Sequence, residues 1–289
     1  MADKIKIPDD LKAELPPNRW GKLLSATPIV MTVVATALAG LSSSEMTRAQ
    51  YDRSLAAQQQ SKAGDQWGYF QAKKMRAVMQ HSTLDLLQSL GPPHPLDTAK
   101  FSGQSTALQA ALGKGVLPEA PALMLDPKVK AALDAVESSR PEPEIAALLA
   151  PVAPAELDAA LTAAKDRALE FDAALKPVNQ AVDQAEKAGA GPEFTAARLR
   201  YQAARYDAEA RLNQTIANVY ELQVRKSNVS AERHHQRSSQ FFYGMLAAQL
   251  AVIIATFAIA ARQRNFLWSV AAVAGLAAIS FAVYVYLYI

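Results

Sequence analysis

The sequence has no cysteine and only four histidines among its 289 residues. A disulfide framework, a thiolate metal site and a cysteine nucleophile are therefore excluded. Strand signal is almost absent, because no run alternates β-branched or aromatic residues with polar ones. No phosphate loop is present: Gly103, Gly113 and Gly115 do not fall at phosphate-binding spacing ahead of a Lys-Ser or Lys-Thr pair. Nucleophile elbows and triad orders are missing too. We expect no enzyme and no cofactor. A surplus of basic charge is also lacking where it would matter, since residues 42–240 carry 23 basic and 23 acidic side chains. A nucleic-acid partner needs a basic face, so none is expected. With 51% apolar and 20% charged residues, the chain is not compositionally disordered.

What is present is unevenly placed. Residues 23–41, 241–261 and 266–289 contain no charged side chain. At about 1.5 Å per residue, each reaches across a ~30 Å hydrocarbon layer as a helix, which predicts three transmembrane helices. Pro28 sits in the opening turns of the first, where its missing N–H costs little. Ala37-Leu38-Ala39 before Gly40 resembles a signal-peptide cleavage site. The long leader with Asp3, Asp9, Asp10 and Glu14 favours an uncleaved anchor instead. Lys4, Lys6, Lys12, Arg19 and Lys22 precede the first span, and Arg262 and Arg264 fill the turn at 262–265. The positive-inside rule places both regions, residues 1–22 included, in the cytoplasm, and residues 42–240 in the periplasm. Trp20 and Trp268 then mark one interface. Phe241, Phe242, Tyr243, Tyr284, Tyr286 and Tyr288 mark the other.

The spans hold no Asp, Glu, Lys, Arg or His, which argues against an autonomous transporter. Gln249 is their one strongly polar residue and is expected to seek a neighbouring helix. Small residues spaced four apart, with Gly40, Gly244 and Gly275 as the smallest, predict close helix packing in the membrane. They also favour self-association.

Between the spans, Ala, Leu, Gln, Glu, Lys and Arg dominate and favour helix. Residues 42–90 read as an ascending helix, restarting at a Ser42/Glu45 capping box. Met75, Met79, Leu86 and Leu90 share one face and predict a buried stripe. Gly91-Pro92-Pro93 ends this helix. Residues 91–155 hold 10 of the 16 prolines and read as a cap of short helices near 104–113, 127–138 and 142–150. Residues 156–191 form an Ala-rich helix interrupted near Pro177, and 192–240 a descending helix running into the second span. Asp207/Arg211 and Glu221/Arg225 are i,i+4 pairs worth about 0.3–0.5 kcal/mol each. The expected fold is all-α: three transmembrane helices and a long antiparallel, coiled-coil-like stalk with a Pro-rich cap.

Three candidate sites follow. Asp65, Gln66, Trp67, Phe70, Gln71 and Lys73 form the most specific motif. Its aromatics are expected to pack the stalk, with Asp65 and Lys73 bridging to the partner helix. The alternative is a ligand pocket at Trp67. Arg233, His234, His235 and Arg237 form a membrane-proximal basic cluster suited to anionic headgroups. Glu232 and His235 are half of a Glu-x-x-His metal pattern, and no second copy exists, so no metal is expected.

Residues 60–76 (QSKAGDQWGYFQAKKMR), residues 233–237 (RHHQR) and the arginine turn before Trp268 resemble the membrane family called domain of unknown function 4337. The resemblance covers roughly 22–90 and 195–289 and leaves the Pro-rich centre as an insertion. The chain departs from it at Gly64 and Gly68, where larger residues are usual. It implies a bacterial inner-membrane protein with three spans and an intervening helical region, and it implies no activity. The expected function is a non-enzymatic membrane scaffold or interaction protein, homo-oligomeric or part of a membrane complex. Its expected partners are the bilayer, itself or other membrane proteins, with no small-molecule substrate identified. The alternatives are a periplasmic ligand-sensing module and an oligomeric channel.

Overall fold

The computed structural model describes residues 19–91, 94, 96, 106–187, 191–260 and 264–289. Arg262, the N-terminal lysines up to Lys12 and most of 92–105 lie outside the described residues. Seven helices follow in order: α1 (Arg19–Leu90), α2 (Thr106–Lys114), α3 (Pro127–Glu137), α4 (Glu142–Leu149), α5 (Pro154–Lys187), α6 (Pro192–Ala260) and α7 (Arg264–Tyr288). No strand occurs among the described residues. Three helices, α1, α6 and α7, are long and apolar enough to cross a membrane. A fourth crossing element would require α4 and α5, bent 103° to each other, to count as one.

The short helices begin where local chemistry dictates. The Asp126 carboxylate accepts the Lys128 N–H at 2.8 Å and Pro127 occupies the first position of α3. Glu156 accepts the Ala153 N–H at 2.7 Å, the return half of a capping box, before α5. Two breaks expected from sequence are absent. Helix α1 runs through Ser42 without restarting, and α5 runs through Pro177. Leu175 and Val178 beside it are fully buried, and that packing outweighs the cost of one missing N–H.

The chain divides into two compact units, Met1–Ser54 with Asn228–Ile289, and Leu55–Ser227. In the first, Ala35 and Leu38 of α1, Ala248 of α6 and Ala278 of α7 form the buried centre. Such small side chains let backbones approach closely. In the second, α5 supplies Phe171, Leu175, Val178 and Val182 to a core shared with Phe194 and Tyr201 of α6 and Leu112 of α2. A neighbouring cluster joins Val129 and Leu133 of α3, Ile145 and Leu149 of α4, Leu157 of α5 and Leu222 of α6. Ala63 of α1 meets Ala164 of α5 and Ile216 and Tyr220 of α6, so these three helices form a three-helix section.

Candidate functional site

The motif on α1 is tied to other helices of the Leu55–Ser227 unit by polar contacts. Trp67 Nε1 donates to Glu221 Oε1 at 2.8 Å, and its ring meets Phe70 edge-on at 5.4 Å. Glu221 in turn accepts from Arg225 Nη1 at 3.1 Å, and Arg225 Nε donates to Glu142 at 3.0 Å. Burial alone would lower the Arg225 pKa, but hydrogen bonds to Glu142 and Glu221 raise it above the usual value. The indole, two carboxylates and a guanidinium thus bind α1, α6 and α4 together. Lys73 does reach the partner helix, on Glu209, whereas Asp65 is exposed and bridges to nothing among the described residues, because its position lies on the outer side of α1. Gln71 is exposed too, and Gln66 is half-buried with its Oε1 unbonded.

Beside Trp67 lies a cleft of about 360 Å³. Its walls come from α1, α3, α4, α6 and the turn between α3 and α4. That turn is a Schellman arrangement: Arg140 N–H donates to Ala135 O and Ser139 N–H to Val136 O, both at 3.0 Å. It places Ser139 at a φ of 53°, where glycine is usual, and delivers Arg140 to the cleft rim. Asn218 of α6 also lines the cleft. It is only 2% exposed, and its Nδ2 has no hydrogen-bond partner among the described residues.

A second polar network surrounds Glu209. Lys73 Nζ pairs with its Oε2, and Arg205 Nε donates to its Oε1 at 2.8 Å. Arg205 Nη1 and the Tyr201 hydroxyl both donate to Asn179 Oδ1, at 2.8 and 2.6 Å. Burial pushes the Tyr201 phenol up to about 12. The Lys73 and Arg205 charges lie over the Tyr206 ring at 5.4 and 4.9 Å. Next to it, Asp207 pairs with Lys74 and accepts from Arg211 at 2.8 Å. The Lys74 hydrogen bond is the largest influence holding its carboxyl below the ordinary range.

The expected buried stripe is not buried. Met75, Met79, Leu86 and Leu90 are 66%, 61%, 61% and 82% exposed. At about 100° per residue, Ala57, Ser61, Gly64, Gly68, Ala72 and Ser82 fall on the same face of α1. All are exposed, and a side chain added at Gly64 or Gly68 would meet nothing within 4 Å. The helix instead buries its opposite face, through Ala56, Ala63, Ala77 and Leu84. Periodicity establishes which residues share a face. It does not establish which of two apolar faces the fold covers.

In the unit formed by Met1–Ser54 and Asn228–Ile289, Ser42 and Ser238 exchange hydrogen bonds. Ser42 Oγ donates to Ser238 O at 3.0 Å and Ser238 Oγ to Ser42 O at 2.8 Å. Ser42 therefore acts between helices rather than as a cap. His234 Nδ1 meets Glu45 Oε2 at 2.5 Å, while Arg233 Nε and Arg237 Nη2 donate to the Ile289 main-chain oxygen at 2.6 and 3.0 Å. The basic cluster is thus largely turned onto the protein. His235 Nδ1 is buried without a partner among the described residues. Glu232 lies 4.0 Å from Arg53 and accepts from Gln236 at 3.3 Å. Among the described residues no three His, Cys, Asp or Glu side chains converge on a possible metal position.

Of the three glycines expected to allow close helix packing, two do. A Cβ at Gly244 would lie 3.1 Å from Ala278 O and 3.2 Å from Leu38 Cδ1, and one at Gly275 would lie 2.8 Å from Met31 Sδ. Gly40 meets nothing within 4 Å among the described residues, because it lies on an open side of α1. Gln249 is exposed and lines a shallow groove of about 450 Å³ with Thr32 and Thr36. Those hydroxyls already donate to Pro28 O and Thr32 O, at 2.8 and 2.9 Å. Arg264 opens α7.

Sequence reasoning missed Asn218 and Asn179, and it gave Glu45 a capping role rather than its contact with His234. A signal existed for the first, since Asn218 interrupts the apolar side of α6 that carries Ile216, Val219 and Leu222. None existed for that contact or for Asn179, because the partners lie in other helices.

Residues 20–112 match the family described as Domain of unknown function (DUF4337). The match covers the first apolar run, all of the aromatic motif and the start of the Pro-rich stretch, and the resemblance is thereby supported. It extends further into the Pro-rich stretch than sequence reading expected, and it does not include residues 195–289. No curated protein and no solved structure matches the chain.

Proposed function

We propose that this chain is a non-enzymatic membrane scaffold that associates with a second copy of itself through the outer face of α1. The observation that carries this reading is the uncharged, exposed stripe from Ala57 to Leu90. On a two-fold axis each residue meets its own copy, so any charge on the stripe would face itself. The stripe carries none. Chains anchored in one bilayer run parallel, so Gly64, Gly68 and Ala72 would allow close approach at one end while the methionines and leucines interlock at the other. Burying a Met or Leu contributes about 1.5–3 kcal/mol. Scaled by the exposure of Met75, Met79, Leu86 and Leu90, two copies gain roughly 8–16 kcal/mol. That offsets an association cost of about 4–15 kcal/mol. In this reading α1, α6 and α7 are the membrane anchors, the protein resides in a bacterial inner membrane, and residues 42–240 form a periplasmic stalk and cap.

The natural lack of cysteine makes the test clean. Leu86→Cys should give a disulfide-linked dimer on mild oxidation of membranes. Leu169→Cys, equally exposed but on α5, should not. No cross-link at 86, equal cross-linking at both positions, or a product with a different polypeptide would overturn self-association.

A further inference from the structure

We propose that the groove beside Gln249 receives α1 of a second copy, whose Thr32 and Thr36 hydroxyl oxygens accept from the Gln249 amide. The inference rests on the self-association proposed above, with α1 and α6 crossing the bilayer, and it adds the contact made inside the membrane.

Gln249 lies near the middle of the uncharged run 241–261, about 12 Å from its start and 18 Å from its end along a helix. At that depth the side chain is too short to snorkel to water. It is exposed, and its amide has no hydrogen-bond partner among the described residues. Hydrocarbon supplies none, so an amide facing lipid is costly. The other polar groups of the groove are engaged as donors, Thr32 to Pro28 O and Thr36 to Thr32 O. Each of these hydroxyl oxygens keeps a lone pair that can still accept. Within the chain neither meets Gln249.

Shape and spacing select the occupant. Thr32, Ala35, Thr36 and Ala39 of α1 form one wall of the groove, and Gln249, Val252 and Ile253 of α6 the other. The small side chains on α1 let another backbone come close. An incoming helix must be small against α1 and carry an acceptor against Gln249, and this same face of α1 offers both. Its uncharged positions Thr32, Thr36, Ala39, Ser43, Met46 and Gln50 recur every three or four residues and so share a face. In sequence the same spacing runs on through Ser54 to Ala57, where the stripe proposed for self-association begins. Parallel chains on a two-fold axis set equal depths side by side. The partner's Thr32 and the partner's Thr36 then come level with Gln249, and the contact is made twice. An acyl chain could fill the groove but would leave the amide unbonded.

The test co-expresses two full-length single-cysteine chains, Thr32→Cys and Ile253→Cys, one of them carrying a size tag, and oxidises the membranes with copper phenanthroline. Each chain has one thiol, so a mixed disulfide joins two copies. We expect the mixed dimer, and none when Val273→Cys on α7, 66% exposed, replaces Ile253→Cys. Gln249→Leu should weaken dimerisation in vesicles about three- to thirtyfold, the span of interhelical hydrogen bonds in bilayers, read by energy transfer between labelled chains. Thr32→Val with Thr36→Val should do the same, and the three substitutions together should lose little more, because they break one contact. If Leu86→Cys cross-links and the Thr32→Cys/Ile253→Cys pair does not, or does no better than the α7 control, this proposal is overturned and self-association stands. If neither cross-links, both fall. A loss below about twofold for Gln249→Leu, or fully additive losses, also overturns the contact.

Discussion

Glu209 is the anion on which two cations depend, which makes its removal the most informative perturbation of the helical unit. Its side chain is 12% exposed, and Lys73 and Arg205 on either side are 27% and 23% exposed. Removing one partner of a fully buried pair costs about 3–5 kcal/mol, because a charge is left uncompensated. Here solvent reaches all three groups, and the Tyr206 ring partly compensates both cations, so the lower part of the range applies. We expect Glu209→Ala to cost about 2–3 kcal/mol. For a unit of this size that is a fall of roughly 4–12 °C in melting temperature, at ~2–4 °C per kcal/mol. Glu209→Gln keeps shape and a hydrogen-bond acceptor for Arg205, and should cost about half as much. The assay is thermal melting of the full chain in detergent, followed by far-ultraviolet circular dichroism. A cycle with Lys73→Ala should return a coupling of about 1–2 kcal/mol. A melting shift under about 2 °C, or no coupling, would refute the view that this network fastens α1 to α6.

Gly244→Val should lower the resistance of the three-helix unit to detergent unfolding by about 1–3 kcal/mol, whereas Gly40→Val, with open space around it, should change it by less than about 0.5 kcal/mol. Tyr201 is a raised acid, so the folded chain disfavours its anion: the contribution is complete below the ordinary phenol pKa and is lost as pH rises through about 12. Spectrophotometric titration of native Tyr201→Phe should therefore match the parent up to pH ~11 and diverge only above it. Ala122→Cys, but not Gln263→Cys, should react with a membrane-impermeant maleimide in intact cells; the reverse pattern would place residues 42–240 in the cytoplasm.

Legibility from sequence followed the range of the interaction. The end of α1 at Leu90, the start of α3 at Pro127, the start of α6 at Pro192 and the Asp207–Arg211 and Glu221–Arg225 pairs are all local, and each was readable. Local rules failed where packing outweighed them. Pro177 does not interrupt α5, and the Ser42/Glu45 spacing does not start a helix, because residues on both sides are held by neighbouring helices.

The sequence alone determined that this protein is helical, and that three of its helices are long and apolar enough to cross a membrane. Charge-free length and helix propensity are properties of a segment, independent of what it touches. Only the tertiary structure decided which face of α1 is covered, leaving Met75 to Leu90 outside, and which groups met across helices. Trp67 found Glu221, His234 found Glu45, and Asn218 was left unbonded beside the turn that carries Arg140. These depend on the rotation and register of one helix against another, which the summed packing of many side chains sets and no single stretch of sequence encodes.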